Sequence, residues 1–152
     1  MLISITKSYT WEMGHALANH DGKCYHPHGH NYRLEVEVSG EVGEESGMVL
    51  DFAQLDDLME PLIADNFDHK FLMNDTDERH HGGDLHPDFD VTTHPFEPTA
   101  ENLAVKVWLQ IEDFQRSVHA FEGVIVHAFE GVTLERVTIW ETDRASATIR
   151  RS

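Results

Sequence analysis

Two stretches of the chain alternate apolar and polar residues with a period of two. In residues 2–15, Ile3, Ile5, Tyr9, Trp11 and Met13 share one parity, and His15 closes the same face. In "HNYRLEVEVSGEV", beginning at His30, Tyr32, Leu34, Val36 and Val38 face one way and Asn31, Arg33, Glu35 and Glu37 the other, with His28 and His30 on the apolar parity. Both read as strands with one buried face. Asn19, Asp21, Gly22 and Pro27 mark residues 16–27 between them as a loop. "GEESG" at 43–47 reads as a turn and predicts a hairpin into "MVLDF".

The period then lengthens. Phe52, Leu55, Leu58, Met59, Leu62 and Ile63 follow helical spacing, so Asp51 caps a helix over about 52–66, with Pro61 able to kink it. "FDHKFL" at 67–72 reads as a connecting segment, and residues 74–98 as a long polar loop. Thr99 is the expected cap of a second helix whose apolar stripe is Leu103, Val107, Trp108, Ile111 and Phe114. "VTLERVTIWET" and "ATIRR" read as a closing pair of strands with a turn at "DRAS". The order ββ-α-α-ββ predicts an α+β fold, a four-stranded antiparallel sheet with two helices on one face, in one domain spanning 1–152. "VHAFEGVI" at 118–125 is followed by "VHAFEGVT" at 126–133, a short tandem duplication that reads as an enlarged connection. Its His119 and His127 are not metal candidates.

Composition narrows the function. Eleven Lys and Arg stand against 28 Asp and Glu, a formal charge of −17, which argues against nucleic acid and anionic membrane as main partners. No apolar run is long enough to span a bilayer, and "MLISITKSYTWEMGH" lacks the pattern of a secretory signal. A single cysteine fits a reducing compartment, so a cytoplasmic location is expected. Twelve histidines raise the prospect of metal chemistry.

That chemistry concentrates in "KCYHPHGHNY". His28 and His30, two apart on a strand, project to one side, and His15 can join them from the neighbouring strand; three imidazoles with one open position are a catalytic zinc set. The competing reading is three solvated histidines at a strand end. His26 precedes Pro27 and reads as a solvent-exposed loop residue. Cys24 can be a fourth ligand that closes the site, a base or nucleophile, or an ordinary buried cysteine. Asp68 and His69 form a carboxylate–imidazole pair if the chain bends between them. Glu141 ends the apolar face of Val137 and Ile139, where a carboxylate can receive two parallel N–H donors or simply meet solvent.

Six blocks, "WEMGH", "CYHPHGHNY", "GMVLDFAQL", "FDHKFL", "PTAENLA" and "IWET", occur in the order of the 6-pyruvoyltetrahydropterin synthase / 6-carboxytetrahydropterin synthase family, and the chain resembles it over about residues 2–150. The resemblance implies the tunnelling fold, in which subunits form trimers around a barrel of antiparallel strands and two trimers stack into a homohexamer. It implies zinc on His15, His28 and His30, with Cys24 as catalytic base. Asp68 and His69 would complete the group from a neighbouring subunit. Glu141 would anchor the pterin ring, and Thr99 and Glu101 would lie near the pterin pocket. Three residues separate Cys24 from the H-G-H, as in the bacterial 6-carboxytetrahydropterin synthases of the queuosine and 7-deazapurine pathways. The implied reaction converts 7,8-dihydroneopterin triphosphate to 6-carboxy-5,6,7,8-tetrahydropterin, releasing acetaldehyde and triphosphate. A 6-pyruvoyltetrahydropterin synthase and a non-catalytic metal-binding protein are the alternatives. Lys23, Lys70 and Arg150–Arg151 are the cations expected to offset the acidic balance near a triphosphate.

Overall fold

The computed structural model describes residues 1–80, 90–118 and 129–152. Its spine is a long antiparallel ribbon of β1 (Leu2–His15) and β2 (His28–Glu41), paired from Leu2 opposite Glu41 to His15 opposite His28. Alternation puts Trp11, Met13 and His15 on one face with His28, His30, Tyr32, Leu34 and Val36. Helices α1 (Phe52–Asn66) and α2 (Ala100–Val118) cover that face. Leu55, Met59 and Ile63 of α1, with Leu103, Val107, Trp108 and Ile111 of α2, share one buried core with it. Trp11 stacks on Tyr32 at 5.6 Å and on Phe67 at 5.5 Å, an aromatic tier next to the strand ends that carry the histidines.

Both expected caps form. Asp51 accepts from the Ala53 amide at 2.9 Å while Gln54 reaches back to the Asp51 amide at 3.2 Å, a reciprocal capping box. Pro61 lies inside α1. The Thr99 hydroxyl accepts from the Asn102 amide at 3.3 Å and opens α2.

The sheet departs from the four antiparallel strands expected. Among the described residues it has six, in the order β4-β3-β1-β2-β5-β6, and it is mixed. β5 (Thr133–Thr142) and β6 (Ala145–Arg150) form the expected antiparallel hairpin. β3 (Phe71–Asn74) runs parallel to β1, and β4 (Val91–His94) parallel to β3. All four residues of β3 are buried, so it shows no alternation, and β4 sits inside the polar stretch taken for loop. A parallel pairing also needs a long connection, which explains much of the length of that stretch. The turn after Glu41 forms, with the Gly43 amide bonded to the Met48 carbonyl at 2.9 Å. "MVLDF" does not continue as a strand; Leu50 instead drops into the core just ahead of α1. Most of the duplication and the middle of the polar loop, including His81, His86, His119 and His127, lie outside the described residues. Among the described residues no helix is long and apolar enough to cross a membrane.

Candidate metal centre and its surroundings

The register of β1 and β2 brings His15 directly opposite His28, with His30 one step along opposite Met13. Their three rings contact one another at centroid distances of 4.5, 4.9 and 5.3 Å. One nitrogen from each lies within 4.8 Å of the other two, and Cys24 is not part of this group. Three close imidazoles are a costly arrangement unless something neutralises their mutual crowding.

Two of the rings have their tautomer set. Nδ1 of buried His15 lies 2.7 Å from the Pro98 carbonyl, and Nδ1 of His28 2.7 Å from the His26 carbonyl. A carbonyl can only accept, so each Nδ1 carries a proton, and in the neutral ring that leaves Nε2 with the lone pair. These two Nε2 atoms approach to 3.0 Å. Two lone pairs aimed at one another lack a partner between them. Nε2 of His30 is buried and has no hydrogen-bond partner either. Burial pushes both His15 and His30 below the ordinary imidazole pKa, against the pull of Glu141 on each and, for His15, of the Pro98 carbonyl. Neutral rings with unprotonated Nε2 atoms converging on one point suit a divalent zinc ion, and the carbonyls behind them are the outer partners that hold such ligands in place.

Glu141 stands beside the cluster on β5. Its Oε1 is 3.5 Å from His15 Nε2, 3.9 Å from His30 Nε2 and 3.5 Å from the Tyr32 hydroxyl, which donates to it. Burial, then the charge of Glu141 and its hydrogen bond, push the Tyr32 phenol far above its usual range. Cys24 is half-buried in a short 3-10 turn, Lys23–Tyr25, with its carbonyl held by the Leu17 amide at 2.9 Å.

Asp68 and His69 do face each other. Asp68 Oδ1 accepts from His69 Nδ1 at 2.9 Å. The bend that permits it is the left-handed backbone of His69, φ 56°, pinned by its amide on the Glu12 carbonyl at 2.8 Å. The pair neighbours Thr10, Glu12 and Asn31, which point away from the helices, so within one chain it sits on the sheet face opposite the histidine cluster. A cavity of about 780 Å³ borders both, lined among others by Glu12, Gly14, His28, His30, His69 and Lys70.

The remaining sequence candidates fall as follows. Thr99 caps α2 one residue from the carbonyl that fixes His15, while Glu101 is exposed on the first turn of α2. Lys70 is tied to Asp90 at 2.5 Å. Arg150 pairs with Arg136, five residues along β5 from Glu141 and so about 17 Å away at ~3.4 Å per residue, which removes Arg150–Arg151 from a cationic patch at this end of one chain. Sequence reasoning missed Tyr32 and Pro98 as partners of the cluster, and set His26 aside by its side chain although its carbonyl orients His28. Only Tyr32 carried a signal, being two residues beyond His30 on the same parity.

Fold and site together define a class: a domain of two helices on a mixed sheet whose two longest strands end in a three-histidine, metal-competent centre. The 6-pyruvoyl tetrahydropterin synthase family matches residues 4–152, and the chain belongs to that family. A 6-carboxy-5,6,7,8-tetrahydropterin synthase of Haemophilus influenzae is 41% identical over 81 residues, covering 51% of this chain and 57% of that protein. One from Rickettsia bellii is 33% identical over 112 residues, covering 68% and 76%. A 6-pyruvoyl tetrahydrobiopterin synthase of Dictyostelium discoideum is 34% identical over 105 residues, covering 66% and 67%. The matched stretch thus spans little more than half of the Haemophilus protein. Among solved structures, an uncharacterised protein of Wolinella succinogenes superposes with a TM-score of 0.73 at 20% identity, covering 100% of this chain and 99% of that one. The 6-pyruvoyl tetrahydropterin synthase of Caenorhabditis elegans gives 0.65 at 25%, covering 100% and 97%. The fold is the tunnelling fold of that family.

Proposed function

We propose that the chain is a zinc-dependent 6-carboxytetrahydropterin synthase, a carbon–carbon lyase. It would convert 7,8-dihydroneopterin triphosphate and one water to 6-carboxy-5,6,7,8-tetrahydropterin, acetaldehyde and triphosphate, the water supplying the second carboxylate oxygen. The observation that carries the reading is the convergence of the His15, His28 and His30 imidazoles beside Glu141. The names of the Haemophilus and Rickettsia relatives and the three-residue gap between Cys24 and His28 support the carboxy product.

His15, His28 and His30 would hold zinc through Nε2, and zinc bound there supplies Lewis-acid polarisation of a substrate oxygen. Glu141 offers a carboxylate to the paired N–H edge of the pterin ring, two parallel hydrogen bonds of the charge-assisted kind. Cys24, as thiolate, takes a proton from the substrate side chain. His69, with Nδ1 bound to Asp68, presents Nε2 to give or take a proton on the other side.

The alternation of β1 and β2 turns Asn31 and Glu12, beside the Asp68–His69 pair, away from the cluster's face, which favours a partner copy as the source of the pair at each site. A homohexamer built as a dimer of trimers, with each site at a subunit interface, supplies one. We place the protein in the cytoplasm as a single domain over 1–152, in queuosine or related 7-deazapurine synthesis.

The Dictyostelium relative favours a second reading, a 6-pyruvoyltetrahydropterin synthase. Acetaldehyde separates the two. Zinc-loaded protein given dihydroneopterin triphosphate should release acetaldehyde and triphosphate in equal amounts, measured by NADH oxidation with alcohol dehydrogenase. Triphosphate release without acetaldehyde supports the pyruvoyl reading instead.

A further inference from the structure

The loop from Ala16 to Pro27 carries Cys24 between two strands, and a base must be held in a narrow range of positions to act. Within the loop only a few backbone bonds restrain it, among them Leu17 N–H to Cys24 O, Tyr25 N–H to Gly22 O and His26 N–H to Lys23 O. Besides the His28 ring on the His26 carbonyl, two side chains from farther along the chain add to these. Glu97 accepts from the Ala18 amide at 3.0 Å and the Asn19 side chain at 2.8 Å, fixing the start of the loop. The other is Arg79, in the 3-10 turn Glu78–His80 of the polar stretch that follows β3.

Arg79 grips the residue after Cys24 in two ways. Its Nη1 donates to the Tyr25 carbonyl at 2.5 Å, and its guanidinium carbon lies 4.0 Å from the centroid of the Tyr25 ring. The other edge of the guanidinium is itself fixed. Nε and Nη2 bond to the Asp77 carboxylate at 2.8 and 2.5 Å, and Asp77 is only 4% exposed. Asp77 is in turn held by its amide on the Asn74 carbonyl, at the end of β3. The chain of contacts therefore runs from a strand of the sheet, through a buried carboxylate and a planar guanidinium, to the peptide that follows Cys24.

We propose that Arg79, anchored by Asp77, is a positioning residue that clasps the Cys24 turn, four residues ahead of His28, in its working place. The clasp gives the beginning of the polar stretch a role that its composition did not disclose. Its catalytic consequence rests on Cys24 being the base. Arg79 touches no reacting atom; it acts through Tyr25. Guanidinium geometry matters, because one planar group must meet a carboxylate, a carbonyl and an aromatic face together, which an ammonium cannot do.

The test uses zinc-loaded full-length protein carrying Arg79→Ala, Arg79→Lys, or the paired change Arg79→Gln with Asp77→Asn. The paired change leaves no buried carboxylate without a partner. Three quantities are read: the rate of Cys24 alkylation by iodoacetamide, the zinc dissociation constant, and kcat and KM separately. All three variants should alkylate several-fold faster than wild type while zinc affinity stays within about threefold. kcat should fall roughly 10–100-fold with KM little changed, the scale expected for a reacting group displaced by about 1 Å. Wild-type alkylation in the paired variant overturns the clasp. So does full recovery of alkylation rate and kcat in Arg79→Lys, which would leave charge alone as the requirement, or a loss of kcat that only follows loss of zinc. If Cys24→Ala kept its turnover, the base assignment would fall, and the alkylation rates would still decide whether Arg79 holds the turn.

Discussion

Gly14→Ala perturbs the seam between the two halves of the site. Gly14 lies on the sheet face opposite the histidines, and Phe71 of β3 packs flat against it. A Cβ there would come within 2.5 Å of Phe71 Cδ2, 3.0 Å of Cε2 and 3.3 Å of the His28 carbonyl oxygen. Carbon atoms rest at about 3.5–4.0 Å, so the ring or the strand must retreat by about 1 Å. Phe71 has little freedom, since it is 6% exposed in a small cluster with Ala16 and Met73. The β1–β3 pairing it would strain is short, Gly14 with Phe71 and His15 with Leu72. Overpacking of this kind costs about 1–3 kcal/mol, or roughly 2–12 °C of Tm for a domain of this size. Urea unfolding of four proteins closes the argument: wild type, Gly14→Ala, Phe71→Ala and the double variant. The cost of Gly14→Ala should fall below about 0.5 kcal/mol once the ring is gone. An equal cost in both backgrounds would refute the clash as its cause.

Removing one ligand, as in His30→Ala, should weaken zinc binding by more than the ~10–100-fold typical of losing an outer partner, measured by competition with a chromophoric chelator. Cys24→Ala should keep zinc and lose turnover; full turnover would remove Cys24 from the chemistry. His69→Gly should be about 1 kcal/mol more stable than His69→Ala, because only glycine takes a φ of 56° without strain, yet both should be inactive. Cys24→Ala and His69→Ala subunits mixed during refolding should regain activity, up to about a quarter of wild type for random pairing, if each site draws on two chains. Arg79's hydrogen bonds hold Asp77 below the ordinary carboxyl value of 3.8, against the opposing effect of burial. A depressed folded value means the stabilisation is complete above pH 3.8 and is lost as pH falls through the folded value. The stability gap between wild type and Asp77→Asn should therefore shrink in that acid window, and a gap independent of pH would contradict the pairing.

The ribbon and its histidine cluster were legible because both rest on alternation. Once Trp11, Met13 and His15 are read as one face and His28, His30 and Tyr32 as its partner, antiparallel pairing brings the imidazoles together with no further assumption. Asp51 and Thr99 gave the helix starts for a similar reason, since a cap is a local device. β3 was not legible, because a four-residue strand buried on both faces has no period to detect, and β4, "VTTH", is too polar to stand out. "MVLDF" misled because Leu50 is apolar in order to enter the core, not to join a ladder. The outer partners of the site escaped for a different reason. The carbonyls of Pro98 and His26 belong to every residue type, so no sequence pattern marks them. The Asp77–Arg79–Tyr25 contact joins segments some fifty positions apart, where only the fold can show that they meet.

The central claim concerns the product. Zinc-loaded protein incubated with 7,8-dihydroneopterin triphosphate, with the pterin product identified by mass spectrometry, tests it most directly. The account predicts 6-carboxy-5,6,7,8-tetrahydropterin, formed by wild type and absent with Cys24→Ala. Recovery of unchanged substrate, or of the same product from Cys24→Ala at the wild-type rate, would contradict it.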